Sequence, residues 1–268
     1  MWRDAERVGR WLEQLTRAGL VARGINYVLV GVLAVQVGMG DARQEADRAG
    51  ALRAVSRHTG GAVVLWLLAA GFAALAIGRL VQVVVPRSDG RALGERATAL
   101  VGALIYIATS VATVAFVLGG SRGNDNAKSQ DVTTRVMTHP GGRFLVGAVG
   151  IAIGTAAVVN LVRAARGNTT GDLDLDQLRP RTRRAVMALG VVGEIGRTAV
   201  FGAVAFLLVA AAVTFDPRKA QGLDGSLRKL AAASHGSWVL VLVAAGLIAF
   251  GLFSCCQARW YRPAVQES

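Results

Sequence analysis

GGAVVLWLLAAGFAALAIG, residues Gly60–Gly78, carries no charged side chain over 19 residues. A helix needs about 20 apolar residues to cross the ~30 Å hydrocarbon core of a bilayer. Inside that core, backbone N–H and C=O groups are satisfied only within a helix or a closed barrel. Five more stretches read the same way: Gly24–Gly40, Ala97–Ser121, Phe144–Val162, Thr198–Phe215 and Gly236–Ala258. All are too long and too continuously apolar for barrel strands, which need about 9–11 residues. The pattern predicts an all-α membrane protein with six transmembrane helices.

Hydrophobic residues make up 53% of the chain and charged residues 18%, the charges lying almost wholly between the spans. A formal charge of +13 raises nucleic-acid binding as a class. The basic residues are scattered through every loop and gather on no single face, so no nucleic-acid partner is expected. Arginine flanking membrane spans accounts for the excess better. At the N-terminus, Asp4, Glu6 and Glu13 interrupt the basic region and no small-residue cleavage site follows, which does not suit a signal peptide. Trp2, Ala5, Val8, Leu12 and Leu15 instead form one helical stripe, predicting a short helix lying in the head-group plane.

Six spans put both termini on one side. With that side cytoplasmic, the inner segments hold 15 Arg and Lys residues and the outer loops 12. The dense run Arg179–Arg184 favours the same choice. The expected location is a bacterial plasma membrane, crossed several times, with both termini in the cytoplasm.

The spans repeat as pairs. Gly50-Ala51-Leu52-Arg53 returns 175 residues later as Gly225-Ser226-Leu227-Arg228, and Ala69-Ala70-Gly71 returns as Ala244-Ala245-Gly246. Gly19 and Arg23 match Gly193 and Arg197 at a spacing of 174. At a spacing of 81, Val55, His58, Gly60, Gly61 and Leu80 become Val136, His139, Gly141, Gly142 and Leu161. A fixed period marks a repeated supersecondary unit. Residues 1–268 therefore read as one membrane domain of three tandem helical hairpins: repeat 1 over 16–85, repeat 2 over 91–164 and repeat 3 over 186–257. Since each unit crosses twice, the copies are parallel, related by a pseudo-threefold axis along the membrane normal. Short amphipathic helices are expected in the outer connections, at Ala51–Val55, Val132–Met137 and Leu227–Ala233. The glycines after His58, His139 and His235 should break them before the next span.

Polar residues at membrane depth are costly and come first as candidates. Arg23 and Arg197 are repeat-related, each placed by the pattern within a turn or two of a span end. Glu194 precedes Arg197 by three residues, on the same helical face. Functionally, Arg23, Glu194 and Arg197 form a candidate anion-binding set; structurally, they snorkel to the interface or lock neighbouring helices by an ion pair. His58, His139 and His235 supply one outer-face imidazole per repeat. His235 is displaced by two positions from its counterpart, which suits turn duty better than a metal set needing ~2.0 Å bonds. Asp131 and Asp224 read as caps of the outer helices. Cys255 and Cys256 read as ordinary thiols. No metal, cofactor or catalytic group is expected.

A family resemblance rests on four motifs. They are Gly19-Leu20-Val21-Ala22-Arg23-Gly24, Ser129-Gln130-Asp131-Val132-Thr133 ahead of His139-Pro140-Gly141-Gly142-Arg143, Gly222-Leu223-Asp224-Gly225-Ser226-Leu227, and Ala258-Arg259-Trp260-Tyr261-Arg262. Their unit resembles the membrane family catalogued as domain of unknown function 1206, found chiefly in actinobacteria. The chain departs from it in repeat 2, where Gly102 stands where an Arg would match. The resemblance implies six spans in three copies and no particular activity. The sequence thus predicts a structural or accessory protein, not an enzyme, binding anionic lipid or a partner membrane protein. A small-solute or ion transporter or channel is the alternative.

Overall fold

Away from water, the long uncharged segments have one economical way to satisfy their backbone, and they take it as helix. The computed structural model describes residues 2–39, 48–57, 59–84, 92–119, 125–166, 179–216, 219–220, 226–227 and 236–260. Eight helices lie among the described residues, with no strand among them: α1 (Trp2–Gly38), α2 (Arg48–Ser56), α3 (Gly61–Val84), α4 (Ala92–Val117), α5 (Asp125–Met137), α6 (Gly142–Ala165), α7 (Pro180–Thr214) and α8 (Gly236–Trp260). Six of these, α1, α3, α4, α6, α7 and α8, are long and apolar enough to cross a membrane.

Two helices correct the expected boundaries. α1 runs unbroken through 37 residues, about 55 Å at 1.5 Å per residue, so the N-terminal stripe is no separate surface helix. Nothing between Trp2 and Gly24 stops a helix: there is no proline, and Glu13 pairs with Arg17 one turn on at 2.6 Å. α7 likewise starts at Pro180, a residue preorganised for a first helical turn, well ahead of the expected Thr198. A charge marks the edge of each apolar run in the sequence. Arg197 and Glu194 satisfy each other inside the helix, so the edge does not fall there.

The hairpin ends follow their local chemistry. After α5, His139 N–H bonds Val136 O at 3.1 Å, and Gly141 then takes φ 81°, which an L side chain rarely adopts. Gly60 does the same ahead of α3, at φ 85°. Two corrections concern the outer connections. Asp131 caps nothing: it lies in the interior of α5 and pairs with Arg135 at 2.9 Å. In repeat 3, Ser226 and Leu227 are helical and buried, while the rest of Leu227–Ala233 lies outside the described residues, as does Asp224.

Neighbouring helices touch in the spatial order α4, α3, α1, α8, α7, α6. Each hairpin thus joins the next, through α3 with α4, α6 with α7, and α8 with α1. Hydroxyls stitch two of these junctions: Ser110 donates to Ala69 O at 2.9 Å and Thr198 to Ala157 O at 3.1 Å. Repeats 1 and 3 close alike. Gly19 receives Leu75, and Gly193 receives Phe250 at the matching place. At Gly196 and Gly246 the backbones of α7 and α8 meet directly, since a Cβ built on Gly196 would lie 2.6 Å from Gly246 Cα. Repeat 2 does not close this way: α4 and α6 are not packed partners. Its counterparts to Leu75 and Gly71 are Ala156 and Ala152, both exposed. It therefore lacks both the bulky side chain that fills the hairpin and the bare backbone that lets the helices approach.

Candidate functional site

The arginines paired by the repeat are drawn together on one aromatic ring. Phe250 of α8, 4% exposed, has the Arg23 guanidinium carbon 5.4 Å from its centroid and that of Arg197 4.8 Å away. Tyr27 of α1 completes the aromatic cluster, its ring 4.7 Å from that of Phe250 and edge-on at 71°. Aromatic faces attract cations, more so when both are out of water.

Each cation has its own anchor. Arg23 Nε donates to Ser254 Oγ at 2.9 Å and its Nη2 to Gln257 Oε1 at 2.5 Å. Ser254 in turn donates to Leu20 O at 2.8 Å, so this chain of bonds ties α1 to α8. Arg197 donates through Nε and Nη2 to Glu194 Oε1, at 3.1 and 2.6 Å. Glu194 is only 3% exposed. The expected residues Arg23, Glu194 and Arg197 do come together. Arg197 lies at the middle of α7, and Arg23 well inside the apolar part of α1, Glu13–Val37. A cation at the centre of a membrane helix costs about 3 kcal/mol on insertion scales, which is why both carry polar partners.

Tyr106 of α4 is the third aromatic here. Its phenol is within hydrogen-bonding reach of Arg23 and electrostatic reach of Arg79 and Arg197. Arg79 of α3 donates to Gln82 Oε1 at 3.1 Å. Sequence reasoning missed Tyr27, Arg79, Tyr106, Phe250, Ser254 and Gln257. Part of this set was visible in principle. The 175-residue spacing that relates repeats 1 and 3 also carries Leu75, Arg79 and Gln82 onto Phe250, Ser254 and Gln257.

The histidines do not assemble into a described set. His139 is exposed, its Nδ1 2.9 Å from Arg135 O at the end of α5, which suits a turn. His58 and His235 lie outside the described residues. Among the described residues no group of His, Cys, Asp and Glu is placed to hold a metal. Cys255 and Cys256 are free, half-buried thiols, with Cys255 Sγ packed against Gly24.

Comparison with known proteins bears on the repeat directly. The family described as Domain of Unknown Function (DUF1206) matches three times, at residues 18–85, 97–167 and 192–261. A Bacillus subtilis (strain 168) protein, "Uncharacterized protein YxxB", is 27% identical over 248 residues, covering 91% of this chain and 89% of the relative. No solved structure matches.

Proposed function

Since this chain belongs to the DUF1206 family, whose unit it carries three times, we propose that it is a multi-pass plasma-membrane protein of structural or accessory kind. In this reading both termini are cytoplasmic, and the protein carries out no bond chemistry. Its work is to hold an anionic lipid or a partner membrane protein at the arginine set. One observation carries the proposal: Arg23 and Arg197 converge on Phe250 inside apolar helices, with the Glu194 carboxylate held by Arg197. Two cations and one anion leave a positive remainder, and an apolar surround makes that remainder attractive to an anion.

Native mass spectrometry of the detergent-extracted protein tests this. Phosphatidylglycerol should remain bound to the wild-type chain and be lost from Arg23→Ala plus Arg197→Ala. Unchanged retention in the double variant would sink the reading. A transporter or channel is the second reading, favoured by the lack of packing between α4 and α6. It requires solute flux into liposomes that the same double variant alters.

A further inference from the structure

The arginine set has a third member that the repeat alignment hides. Repeat 2 carries Gly102 where repeats 1 and 3 carry Arg23 and Arg197. That bare patch of α4 is covered by a neighbour. A Cβ built on Gly102 would lie 3.5 Å from both Cδ and Nε of Arg79, which reaches across from α3. The adjoining repeat thus lends the guanidinium that repeat 2 lacks, its side chain lying over Gly102 at ordinary contact distance. Tyr106 stands one turn further along α4, with Arg23, Arg79 and Arg197 all within electrostatic reach.

Charge and access then point the same way. Around Tyr106 stand the guanidinium groups of Arg23, Arg79 and Arg197, the last of them engaged by the carboxylate of Glu194. Planar guanidinium forks match the oxygens of a phosphate better than any other cationic side chain does. α4, which carries Tyr106, and α6 stand at the two ends of the helix order and are not packed partners. Both helices expose large apolar side chains, among them Leu104 and Ile105 on α4 and Val149 and Ile151 on α6. A ligand lying against these faces with its head at the guanidinium groups must therefore be apolar along its length and anionic at one end.

We propose that Arg23, Arg79 and Tyr106 form an oxyanion site for the phosphate of an anionic phospholipid, whose acyl chains lie against the exposed apolar side chains of α4 and α6. The inference rests on the reading that the arginine set binds an anion, and it adds the third arm, the phosphate chemistry and the place of the acyl chains.

The test uses the full chain in nanodiscs of phosphatidylcholine doped with phosphatidylglycerol, read by native mass spectrometry. Arg79→Gln should lower retained phosphatidylglycerol about tenfold, the worth of one charge-assisted hydrogen bond, with phosphatidylcholine unchanged. Gly102→Leu removes no charge but sets a bulky side chain against Arg79, and should lower retention in the same direction. Should Gly102→Leu fail to elute as a monodisperse helical protein, Arg79→Gln against Arg79→Lys decides, with Lys expected to restore part of the binding. If Arg79→Gln binds like wild type while the Arg23/Arg197 double variant does not, this proposal falls and the two-arginine reading stands. If neither variant loses lipid, both fall. Displacement of the lipid by millimolar inorganic phosphate, with the same dependence on Arg79, would move the ligand into water and overturn the lipid assignment. A dimer free of phosphatidylglycerol would overturn it too, by showing a second copy of the chain against the apolar faces of α4 and α6.

Discussion

Arg23 and Arg197 approach Phe250 at 5.4 and 4.8 Å, so one ring separates two like charges in a medium that screens neither well. Glu194 makes this tolerable. With 3% of its surface exposed, it has left water almost entirely, and Arg197 returns the lost hydration as two hydrogen bonds to one oxygen. Glu194→Gln keeps the shape and strips the charge. Thermal unfolding in detergent should register a loss of about 3 kcal/mol, because a cation is left out of water without its anion. The double variant Glu194→Gln plus Arg197→Gln should recover most of that loss, since neither ion then needs a partner. Equal losses in the single and double variants would show that the pair does not act as a unit. At this scale the charged members were legible and their partners were not. A buried arginine announces itself by its cost. Ser254 and Gln257, by contrast, are polar types that also occur at span ends for no special reason, and only the fold shows which of them faces Arg23.

Helix pairs are set by where side chains are missing. α7 and α8 come together at Gly196 and Gly246, with a separation that leaves no room for a methyl group. Gly196→Ala should therefore cost about 2–3 kcal/mol through overpacking against backbone that cannot rotate away. Gly202, on the same helix, has nothing within 4 Å of its would-be Cβ. Gly202→Ala should be neutral or up to about 1 kcal/mol stabilising, from helix propensity alone. Thermal midpoints of the two variants, measured side by side, separate contact from propensity; similar midpoints would refute the close approach. Gly141→Ala, at a φ of 81°, should cost about 1–2 kcal/mol for a different reason, the left-handed backbone. The glycine punctuation was readable as helix ends. The starts of α1 and α7 were not. A boundary rule that stops at the first charge fails when the charge is paired within the helix or anchored from its neighbour.

Across the whole molecule, three tandem hairpins were legible because a fixed spacing in the chain leaves the same residues at the same places. The break in their regularity was not. It depends on Ala152 and Ala156 standing where Gly71 and Leu75 stand in repeat 1, and an alanine in a span looks unremarkable until its partner helix is known. Orientation is the property to measure at this scale. A green fluorescent protein fused after α8 should fluoresce, and alkaline phosphatase inserted in the connection between α1 and α3 should be active. The opposite pattern would invert the molecule and move every arginine count to the other side.

The contact between α1 and α8 joins residues made far apart in time during translation. Leu20 and Ser254 are 234 residues apart, which at roughly 5–20 residues per second is on the order of 10–50 s of synthesis. For that interval Arg23 sits in a finished helix while both of its anchors on α8 are still unmade. Assembly of the centre accordingly waits for α8, because Arg23 gains its anchors on Ser254 and Gln257 only once that helix is made.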